Sequence, residues 1–245
     1  MLFRSCQIDS IAQSWSVLSG VASPERARTA MASLYRRLVH ADTRVVQLLD
    51  PPFDTSQPSP GYIEGYVPGV RENGGQYTHA AVWATLAFAA LGDADRAWEL
   101  VGLLNPAHHA ATEAGVATYQ VEPYVLAGDV YAFAPHAGRG GWTWYTGSAG
   151  WTYQLLVESL LGLGRSANQL RVKPLLPRGW DEVDMRYRFG DSTYEIACRR
   201  ARSAGSARVT VDGVVMVGGS ITLQSDGKAH AVAVDFWCEP QPAPA

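Results

Sequence analysis

Cysteine is scarce in this sequence, and its three residues follow no familiar pattern. Cys6, Cys198 and Cys238 lie far apart, and no C-x-x-C pair occurs. Disulfide frameworks use even numbers of cysteines and thiolate zinc sites use closely spaced ones, so neither kind of site is supported. An odd number of isolated cysteines favours a reducing compartment.

Long apolar runs and an excess of basic charge are also missing. No run approaches the roughly 20 apolar residues that a membrane-spanning helix needs, and Met1–Cys6 leads into helical pattern without the apolar core of a signal peptide. With 20 basic and 23 acidic residues, the net charge is −3 and no basic stripe stands out. These absences argue against membrane contact by this segment and against nucleic acid as the main partner.

What is present is enough apolar sequence for a sizeable core, since 47% of the 245 residues are hydrophobic. Ser23-Pro24 is a typical helix start, with serine as the N-cap and proline in the first turn. Residues 79–91 are almost wholly apolar, which predicts a helix buried on every side. The spacing of apolar residues predicts further helices at 8–20, 93–104 and 149–163, a loop at 107–117, and an apolar helix after Glu122–Tyr124 within 119–130.

Buried helices that alternate with amphipathic ones are typical of two concentric helical layers around a pocket. A full ring of about twelve helices needs well over ~300 residues, because each helix takes roughly 12 to 15 residues plus its loop. This chain supplies about half of such a ring. We therefore expect the other half in sequence upstream of Met1.

The pattern changes about two thirds of the way along the chain, where the alternation typical of strands begins. Asp212-Gly213 and Asp226-Gly227, each between β-rich runs, predict hairpin turns. The sequence therefore predicts a partial helical barrel over residues 1–167 and a small β domain over 168–238. Residues 239–245, with three prolines, are predicted to be disordered.

Two segments, 61–79 and 142–150, combine glycines with aromatic, hydroxyl and charged residues directly before an apolar helical pattern. Glycine lets a ligand approach the backbone closely. Tyrosine and tryptophan offer flat faces with a polar edge, which suit sugars, and helix starts present free N–H groups to anions. We expect the two segments to converge on a pocket for a polar, partly anionic ligand.

Three motifs in these regions carry a family resemblance. Gly69–His79, Glu122–Tyr124 and Trp144–Trp151, in this order, resemble the C-terminal part of glycoside hydrolase family 94. That family holds inverting disaccharide and oligosaccharide phosphorylases and the C-terminal region of cyclic β-1,2-glucan synthase. Pro51–Asp54 and Gly138–Trp142 look most like the synthase branch.

The resemblance implies a mainly α fold, the C-terminal half of an (α/α)6 barrel followed by a small antiparallel β domain. It also implies inverting phosphorolysis or glycosyl transfer on a β-glucan, with a β-1,2 linkage suggested by the synthase branch. In this reaction a protonated carboxyl group gives its proton to the glycosidic oxygen. Inorganic phosphate, the co-substrate, attacks the anomeric carbon from the opposite face, and no other cofactor is implied.

The general acid of the family lies in an upstream Asp-Trp-Asn-Asp-like motif, which does not occur in this sequence. We therefore assign no catalytic residue here and expect the chain by itself to be inactive. The implied partners are a β-glucan oligosaccharide, phosphate and the upstream half of the same domain. The implied location is cytoplasmic, either free or as part of an inner-membrane protein.

The resemblance also implies individual ligands. The phosphate-binding histidine of the family falls on His79, and its Thr-Gly pair falls on Thr146 and Gly147. Arg71 matches a position that contacts the acceptor sugar in some members, where lysine is found. The glutamine that contacts the donor sugar has no match here, and its position is near Gly128.

Four further residues are candidates for sugar binding by their own chemistry, each with a structural alternative. Glu72 could instead cap a turn together with Asn73, and Glu122 could instead bond buried backbone groups. Tyr66 and Trp144 could be sugar platforms or packing residues.

Other interpretations stay open at this point. His79 without its glycine-rich neighbours would be read as a satisfied core histidine. His108-His109 and His136 do not predict a metal site, because adjacent histidines point apart and no carboxylate completes the set. A non-catalytic carbohydrate-binding or interaction remnant is the alternative function.

Overall fold

The computed structural model describes residues 6–203 and 208–237. The chain forms two compact units: the first contains Met1–Leu91 and Arg96–Tyr153, and the second contains Gly92–Asp95 and Gln154–Ala245. The chain enters the second unit for good at Gln154, whereas the sequence predicts a boundary after residue 167. The predicted disordered tail at 239–245 lies outside the described residues.

Helix boundaries follow local capping signals. Asp9 accepts hydrogen bonds from the backbone N–H groups of Ile11 (2.7 Å) and Ala12 (3.1 Å), and Ser23 caps the helix that begins at Pro24, as predicted. The helices are α1 Ser10–Leu18, α2 Pro24–Leu38, α3 Thr78–Ala90, α4 Ala94–Leu104, α5 Pro106–His109, α6 Glu113–Tyr119 and α7 Ser148–Gln154, with a π-helical continuation at Leu155–Leu160 and 3-10 turns at Gly61–Gly65 and Val217–Gly219.

Short strands tie the loops of the first unit together. They are β1 Ile8–Asp9, β2 Val39–His40, β3 Val45–Val46, β4 Leu49–Asp50, β5 Gln76–Tyr77 and β6 Asp129–Val130. The antiparallel pairs are β1 with β4, β2 with β3, and β5 with β6. The β5–β6 pair joins the end of the first glycine-rich segment to Asp129.

Helix α3 forms the core of the first unit, as its apolar sequence predicts. Ala80, Val82 and Ala84 are fully buried, and α3 packs against α1. Trp83 on α3 meets Trp15 on α1 edge to face, with ring centroids 5.4 Å apart. The first turn of α3, which carries His79, is therefore held on a rigid element.

The second unit contains two sheets. Its strands are β7 Leu163–Ser166, β8 Gln169–Val172, β9 Glu182–Phe189, β10 Ser192–Arg200, β11 Arg208–Val211, β12 Val214–Val215, β13 Ser220–Thr222 and β14 Ala229–Phe236. The five-stranded sheet has the order β12-β11-β14-β10-β9, and the three-stranded sheet has the order β13-β8-β7. Ile196 and Val232 are paired and buried at the centre of the larger sheet.

The expected antiparallel β domain is a mixed one, because β10 and β14 run parallel. The Asp212-Gly213 hairpin is confirmed: both residues have positive φ, and the turn joins the antiparallel strands β11 and β12. The prediction of a hairpin at Asp226-Gly227 is wrong, since the strands on either side, β13 and β14, belong to different sheets. There the backbone N–H groups of Asp226 and Gly227 donate to Ser192 Oγ at 2.9 and 3.1 Å.

The expectation of a mainly α chain that forms half of an (α/α)6 barrel is wrong. Among the residues that the structure describes, 35% lie in helices and 25% in strands. The helix predicted within 119–130 is absent because its backbone bonds across the chain: Gly128 N–H donates to Trp142 O (2.6 Å), and Thr78 N–H donates to Gly128 O (3.0 Å). A backbone group paired in this way cannot bond four residues along a helix.

The loop predicted at 107–117 is also wrong, since α5 and α6 lie there. Asn105 caps α5, which has Pro106 in its first turn, and Thr112 caps α6. These caps overcome the weak apolar pattern of the segment. None of the helices in residues 6–203 and 208–237 combines the length and apolarity required to cross a membrane.

Candidate functional site

The first glycine-rich segment is held in place by a buried asparagine. Asn73 Oδ1 accepts a hydrogen bond from Phe53 N–H (2.7 Å), and its Nδ2 donates to Phe53 O and Tyr66 O, each at 2.8 Å. Because the whole amide is used, Asn73 fixes the turn that presents Arg71 and Glu72. None of these amide bonds goes to Glu72, whose own side chain is placed toward a cleft.

The two glycine-rich segments meet through Gly128. This residue bonds both the start of α3 and the loop at Trp142, and a Cβ at Gly128 would lie 3.4 Å from Cβ of Thr146. Segments distant in sequence therefore converge at one end of α3.

A cleft of about 330 Å³ opens where these segments meet. It is lined by Arg71, Glu72, Tyr77, His79, Gly128, Asp129, Trp142, Tyr145, Thr146 and Gly147. The structure thus brings together the phosphate ligands predicted from sequence and two of the predicted sugar ligands. Their roles stay predictions, but their common location is a property of the fold.

His79 lies at the back of this cleft among aromatic rings. Its ring centroid is 4.7 Å from that of Trp83 and 5.8 Å from that of Trp151. Burial lowers the pKa of His79 below its usual value, so the neutral imidazole is favoured. Its Nε2 is buried and has no hydrogen-bond partner among the described residues. An N–H or lone pair is therefore free for a ligand.

Thr146 and Gly147 face the imidazole from the second segment. Thr146 Oγ1 accepts a hydrogen bond from Ser148 N–H (3.1 Å) and shares another with Ser148 Oγ (2.7 Å). When Ser148 donates in the second bond, the proton of the Thr146 hydroxyl is available to an anion. Gly147 leaves the edge of the His79 ring uncovered because it has no side chain.

Arg71 supplies the positive charge of the cleft. Its guanidinium carbon lies 4.5 Å from the ring centroid of Trp142 and 5.6 Å from that of Tyr66. Tyr66 itself does not line the cleft. Its position beside Arg71 favours the packing interpretation of this tyrosine, as a support for the guanidinium.

Glu122 and Trp144 lie outside the lining of the cleft and bond to each other. Trp144 Nε1–H donates to Glu122 Oε1 at 3.0 Å, and Tyr124 meets the Trp144 ring edge to face at 6.4 Å. The backbone N–H of Glu122 and the side chains of Thr143 and Trp144 lower the pKa of the Glu122 carboxyl. The structure therefore separates this pair from the residues around His79.

Asp129 is the cleft residue that sequence reasoning missed. Only 2% of it is exposed; its Oδ1 accepts a hydrogen bond from Trp142 N–H at 2.9 Å. Burial raises the pKa of its carboxyl. The sequence carries a signal, because Gly128-Asp129 interrupts an otherwise apolar run, but the helix predicted within 119–130 hides it.

The described residues contain no group of three or more His, Cys, Asp or Glu side chains placed to hold a metal ion. Cys6 and Cys198 are free thiols, and Cys238 lies outside the described residues. The site is thus built from an imidazole, a guanidinium, carboxyl groups, a hydroxyl and aromatic faces. That set suits a ligand that carries both an anion and sugar hydroxyls.

Several known proteins are similar in sequence to this chain. The chain is 48% identical over 210 residues to the cyclic beta-(1,2)-glucan synthase NdvB of Rhizobium meliloti (strain 1021), which covers 86% of this chain and 7% of that protein. It is 29% identical over 234 residues to the solabiose phosphorylase of Paenibacillus borealis. This alignment covers 91% of this chain and 29% of that protein. It is 30% identical over 223 residues to the N,N'-diacetylchitobiose phosphorylase of Vibrio furnissii. This alignment covers 89% of this chain and 27% of that protein.

The chain therefore spans less than a third of the length of these relatives. The family described as "Glycosyl hydrolase 94 superfamily, catalytic domain" matches residues 3–162, which is more than half of the chain. The resemblance seen in the three motifs is confirmed. The chain belongs to the glycosyl hydrolase 94 superfamily.

Proposed function

We propose that this chain supplies phosphate and sugar contacts to a site for inverting phosphorolysis or glycosyl transfer on a β-glucan, with a β-1,2 linkage. The observation that carries the proposal is the shared cleft of His79, Thr146, Gly147 and Arg71, in which His79 Nε2 is buried and partnerless. The similarity to a cyclic beta-(1,2)-glucan synthase supports the choice of linkage.

The cleft can hold phosphate by hydrogen bonds from several directions. His79 in its neutral form donates one N–H, Thr146 donates its hydroxyl proton, and Gly147 offers a backbone N–H. Arg71 adds a positive charge beside aromatic rings. Together these groups offset the charge of a dianion while a positive charge develops on the sugar.

In the proposed reaction a phosphate oxygen forms a bond to the anomeric carbon as the glycosidic bond breaks. A general acid gives its proton to the departing glycosidic oxygen, and the product is a sugar 1-phosphate of inverted configuration. Phosphate is its own nucleophile, so one carboxyl group suffices where an inverting hydrolase uses two. The reverse reaction transfers the sugar to an acceptor and releases phosphate.

The general acid belongs, in this proposal, to sequence outside the chain. The support is that the 245 residues contain no Asp-Trp-Asn-Asp-like motif. The upstream half of the domain is then a required partner, and the isolated chain is inactive. We place the protein in the cytoplasm, free or as part of an inner-membrane protein, and its three isolated cysteines support this choice.

The first experiment measures phosphate binding to the chain by isothermal titration calorimetry. His79→Ala is expected to weaken phosphate binding by about 10-fold or more, since a buried hydrogen bond to an ion is lost. His136→Ala, which changes an exposed histidine outside the cleft, is the matched control. Equal phosphate affinity of wild type and His79→Ala would show that the assigned role is wrong.

The second experiment restores an upstream family 94 half and measures release of sugar 1-phosphate from β-1,2-linked gluco-oligosaccharides. Activity that depends on phosphate and on His79 is expected. No release with any β-linked glucan would contradict the proposed reaction.

A phosphate-independent carbohydrate-binding remnant is the second candidate. The observation in its favour is a set of exposed aromatic faces: Tyr124 is 76% exposed, Trp144 71% and Tyr145 82%. Under this alternative, His79→Ala still binds glucan. Phosphate has no effect on glucan binding, even after the upstream half is restored. Sensitivity of glucan binding to Trp144→Ala but not to His79→Ala would favour it.

A further inference from the structure

We propose that Asp129 is a sugar-binding residue of the cleft, which accepts a hydrogen bond from one hydroxyl group of the sugar through its Oδ2. This inference rests on the proposed function and extends it to a residue that sets which hydroxyl configuration the cleft accepts. Asp129 belongs to none of the three sequence motifs.

The two oxygens of the Asp129 carboxyl group differ in their hydrogen bonds. Oδ1 is occupied, because it accepts the backbone N–H of Trp142 at 2.9 Å. Oδ2 is buried and has no partner within the described part of the chain, although Asp129 lines the cleft. A buried acceptor without a partner is costly, so a group that donates to it on binding recovers that cost.

A second carboxyl oxygen in the same cleft has the same condition. Oε2 of Glu72 is buried and lacks a partner in residues 6–203 and 208–237. The positive charge of Arg71 lowers the pKa of Asp129 and the negative charge of Glu72 raises it, so both groups lie within electrostatic range of Asp129. The cleft therefore offers two free acceptors beside one fixed positive charge.

A neutral donor fits these two acceptors better than a cation. A metal ion would need more oxygen ligands than two carboxyl groups provide, and the described residues contain no third His, Cys, Asp or Glu in such a group. The guanidinium of Arg71 would also repel it. Sugar hydroxyl groups are uncharged donors, so Arg71 does not repel them.

The position of Asp129 is held by the backbone rather than by a mobile side chain. Its N–H and C=O groups lie in β6, which pairs with β5, and Gly141 N–H donates to its carbonyl at 2.9 Å. A carboxyl fixed in this way distinguishes hydroxyl positions, because a sugar that lacks the donor leaves Oδ2 without a partner.

The test uses Asp129→Asn, which keeps an oxygen to accept the Trp142 N–H but places an NH2 donor where Oδ2 was. Asp42→Asn, at an exposed turn residue, makes the same change of charge outside the cleft. The probes are the β-1,2-linked glucose disaccharide, its monodeoxy analogues and inorganic phosphate, each titrated into the chain and followed by NMR.

We expect Asp129→Asn to weaken disaccharide binding by about 10- to 100-fold, the effect of a lost hydrogen bond to a charged group. One deoxy analogue should bind wild type as weakly as the variant binds the disaccharide. The affinity of that analogue should be nearly the same for Asp129→Asn as for wild type. Such non-additive losses show that Asp129 and the missing hydroxyl interact directly. Phosphate affinity should stay within about 2-fold, and Asp42→Asn should match wild type throughout.

Three results would overturn the inference. Unchanged disaccharide affinity would show that Oδ2 has no sugar partner. Equal losses for the disaccharide, every deoxy analogue and phosphate would show that Asp129 only maintains the shape of the cleft. Phosphate binding that depends on His79, without any disaccharide binding by wild type, would refute the sugar role alone, whereas loss of both bindings would refute the proposed function as well.

Discussion

Gly147 lies directly against the imidazole of His79: a Cβ atom at residue 147 would be 3.5 Å from Cε1 and 3.8 Å from Nδ1 of the ring. These are ordinary van der Waals separations, so a methyl group fits without moving the ring. The methyl group would, however, take up cleft space beside Cε1 and Nδ1 of His79. The pair therefore allows ligand access to be changed without changing the fold.

Gly147→Ala is expected to keep the melting temperature within about 2 °C of wild type, because no clash or positive φ is involved. Phosphate affinity should fall several-fold, because the methyl group stands between phosphate and the ring. Gly150→Ala, where a Cβ meets nothing within 4 Å, is the control and should bind phosphate normally. Unaltered phosphate binding by Gly147→Ala would place the anion elsewhere.

The protonation of His79 should respond to phosphate. Burial lowers its pKa below 6.5, so the folded chain favours the neutral ring and loses stability as pH falls from about 6.5 toward the folded pKa. A bound anion favours the charged ring, so saturating phosphate should raise the pKa of His79. NMR titration of the imidazole, with and without phosphate, measures both values.

The resonance of His79 can be assigned by comparison with His79→Gln. Chloride at the same ionic strength is the control, since it screens charge without the geometry of phosphate. A His79 pKa that is identical in phosphate and chloride would argue against direct contact.

His230 in the second unit predicts a different pH dependence. Its Nδ1 lies 2.8 Å from Asp212 Oδ2, and its Nε2 lies 3.2 Å from Asp226 Oδ1. Hydrogen bonding to Asp212 is the main cause that raises the pKa of His230 above 6.5. The resulting stability is complete below about pH 6.5 and is lost as pH rises through the folded pKa.

The measurement is the free energy of urea unfolding from pH 5 to 9, for wild type and His230→Gln. Wild type should lose stability toward high pH relative to the variant, and the difference between them should shrink above the folded pKa. His136→Gln, which changes an exposed histidine, should parallel wild type. Parallel curves for wild type and His230→Gln would contradict the bridging role.

Asp226, which contacts His230, makes the stability of the protein depend on pH in the acidic range as well. The hydroxyl of Ser192 is the first cause that lowers the pKa of Asp226 to about 2. A carboxyl with a depressed pKa contributes stability above its unfolded value near 3.8, and this contribution is lost as pH falls toward 2. In Asp226→Asn, unfolding between pH 4 and 2 should depend less on pH than in wild type.

Gly69 supports the loop that carries Arg71. Its φ is +89°, and a Cβ there would lie 2.6 Å from Cβ and 3.0 Å from N of Phe133. Gly61 also has positive φ, +77°, but a Cβ there meets nothing within 4 Å. We expect Gly61→Ala to cost about 1 kcal/mol from backbone strain alone, and Gly69→Ala to cost about 2 to 5 kcal/mol because a clash is added.

Chemical denaturation of both glycine variants measures this difference. Equal losses would show that the contact with Phe133 relaxes without cost. Reduced phosphate affinity in Gly69→Ala alone would further show that the loop positions Arg71.

Local signals predicted the elements whose hydrogen bonds are local. Ser23-Pro24 begins α2, the apolar run beginning at 79 forms α3, and Asp212-Gly213 forms a hairpin turn. In each case the deciding interactions lie within a few residues: a cap, a buried helical surface and two backbone angles. The motifs that identified the family are likewise contiguous in sequence.

Elements whose hydrogen bonds are distant were predicted incorrectly. Residues near Gly128 bond to Trp142 and Thr78 instead of forming a helix, and Asp226-Gly227 bonds to Ser192 instead of turning a hairpin. The parallel pairing of β10 and β14 joins strands that are separated in the chain by three others. Apolar spacing cannot express such pairings, because it records which residues are buried and not which backbone groups meet.

By itself, the sequence determined the family, the caps and turns, and the residue types that gather at the two glycine-rich segments. Only the tertiary structure decided that Tyr66, Glu122 and Trp144 stand apart from the His79 cleft and that Asp129 lines it with a free oxygen. The physical reason is that exposure and hydrogen bonding of a side chain depend on partners brought in from elsewhere in the chain. Gly128, bonded to both segments, is where those partners meet.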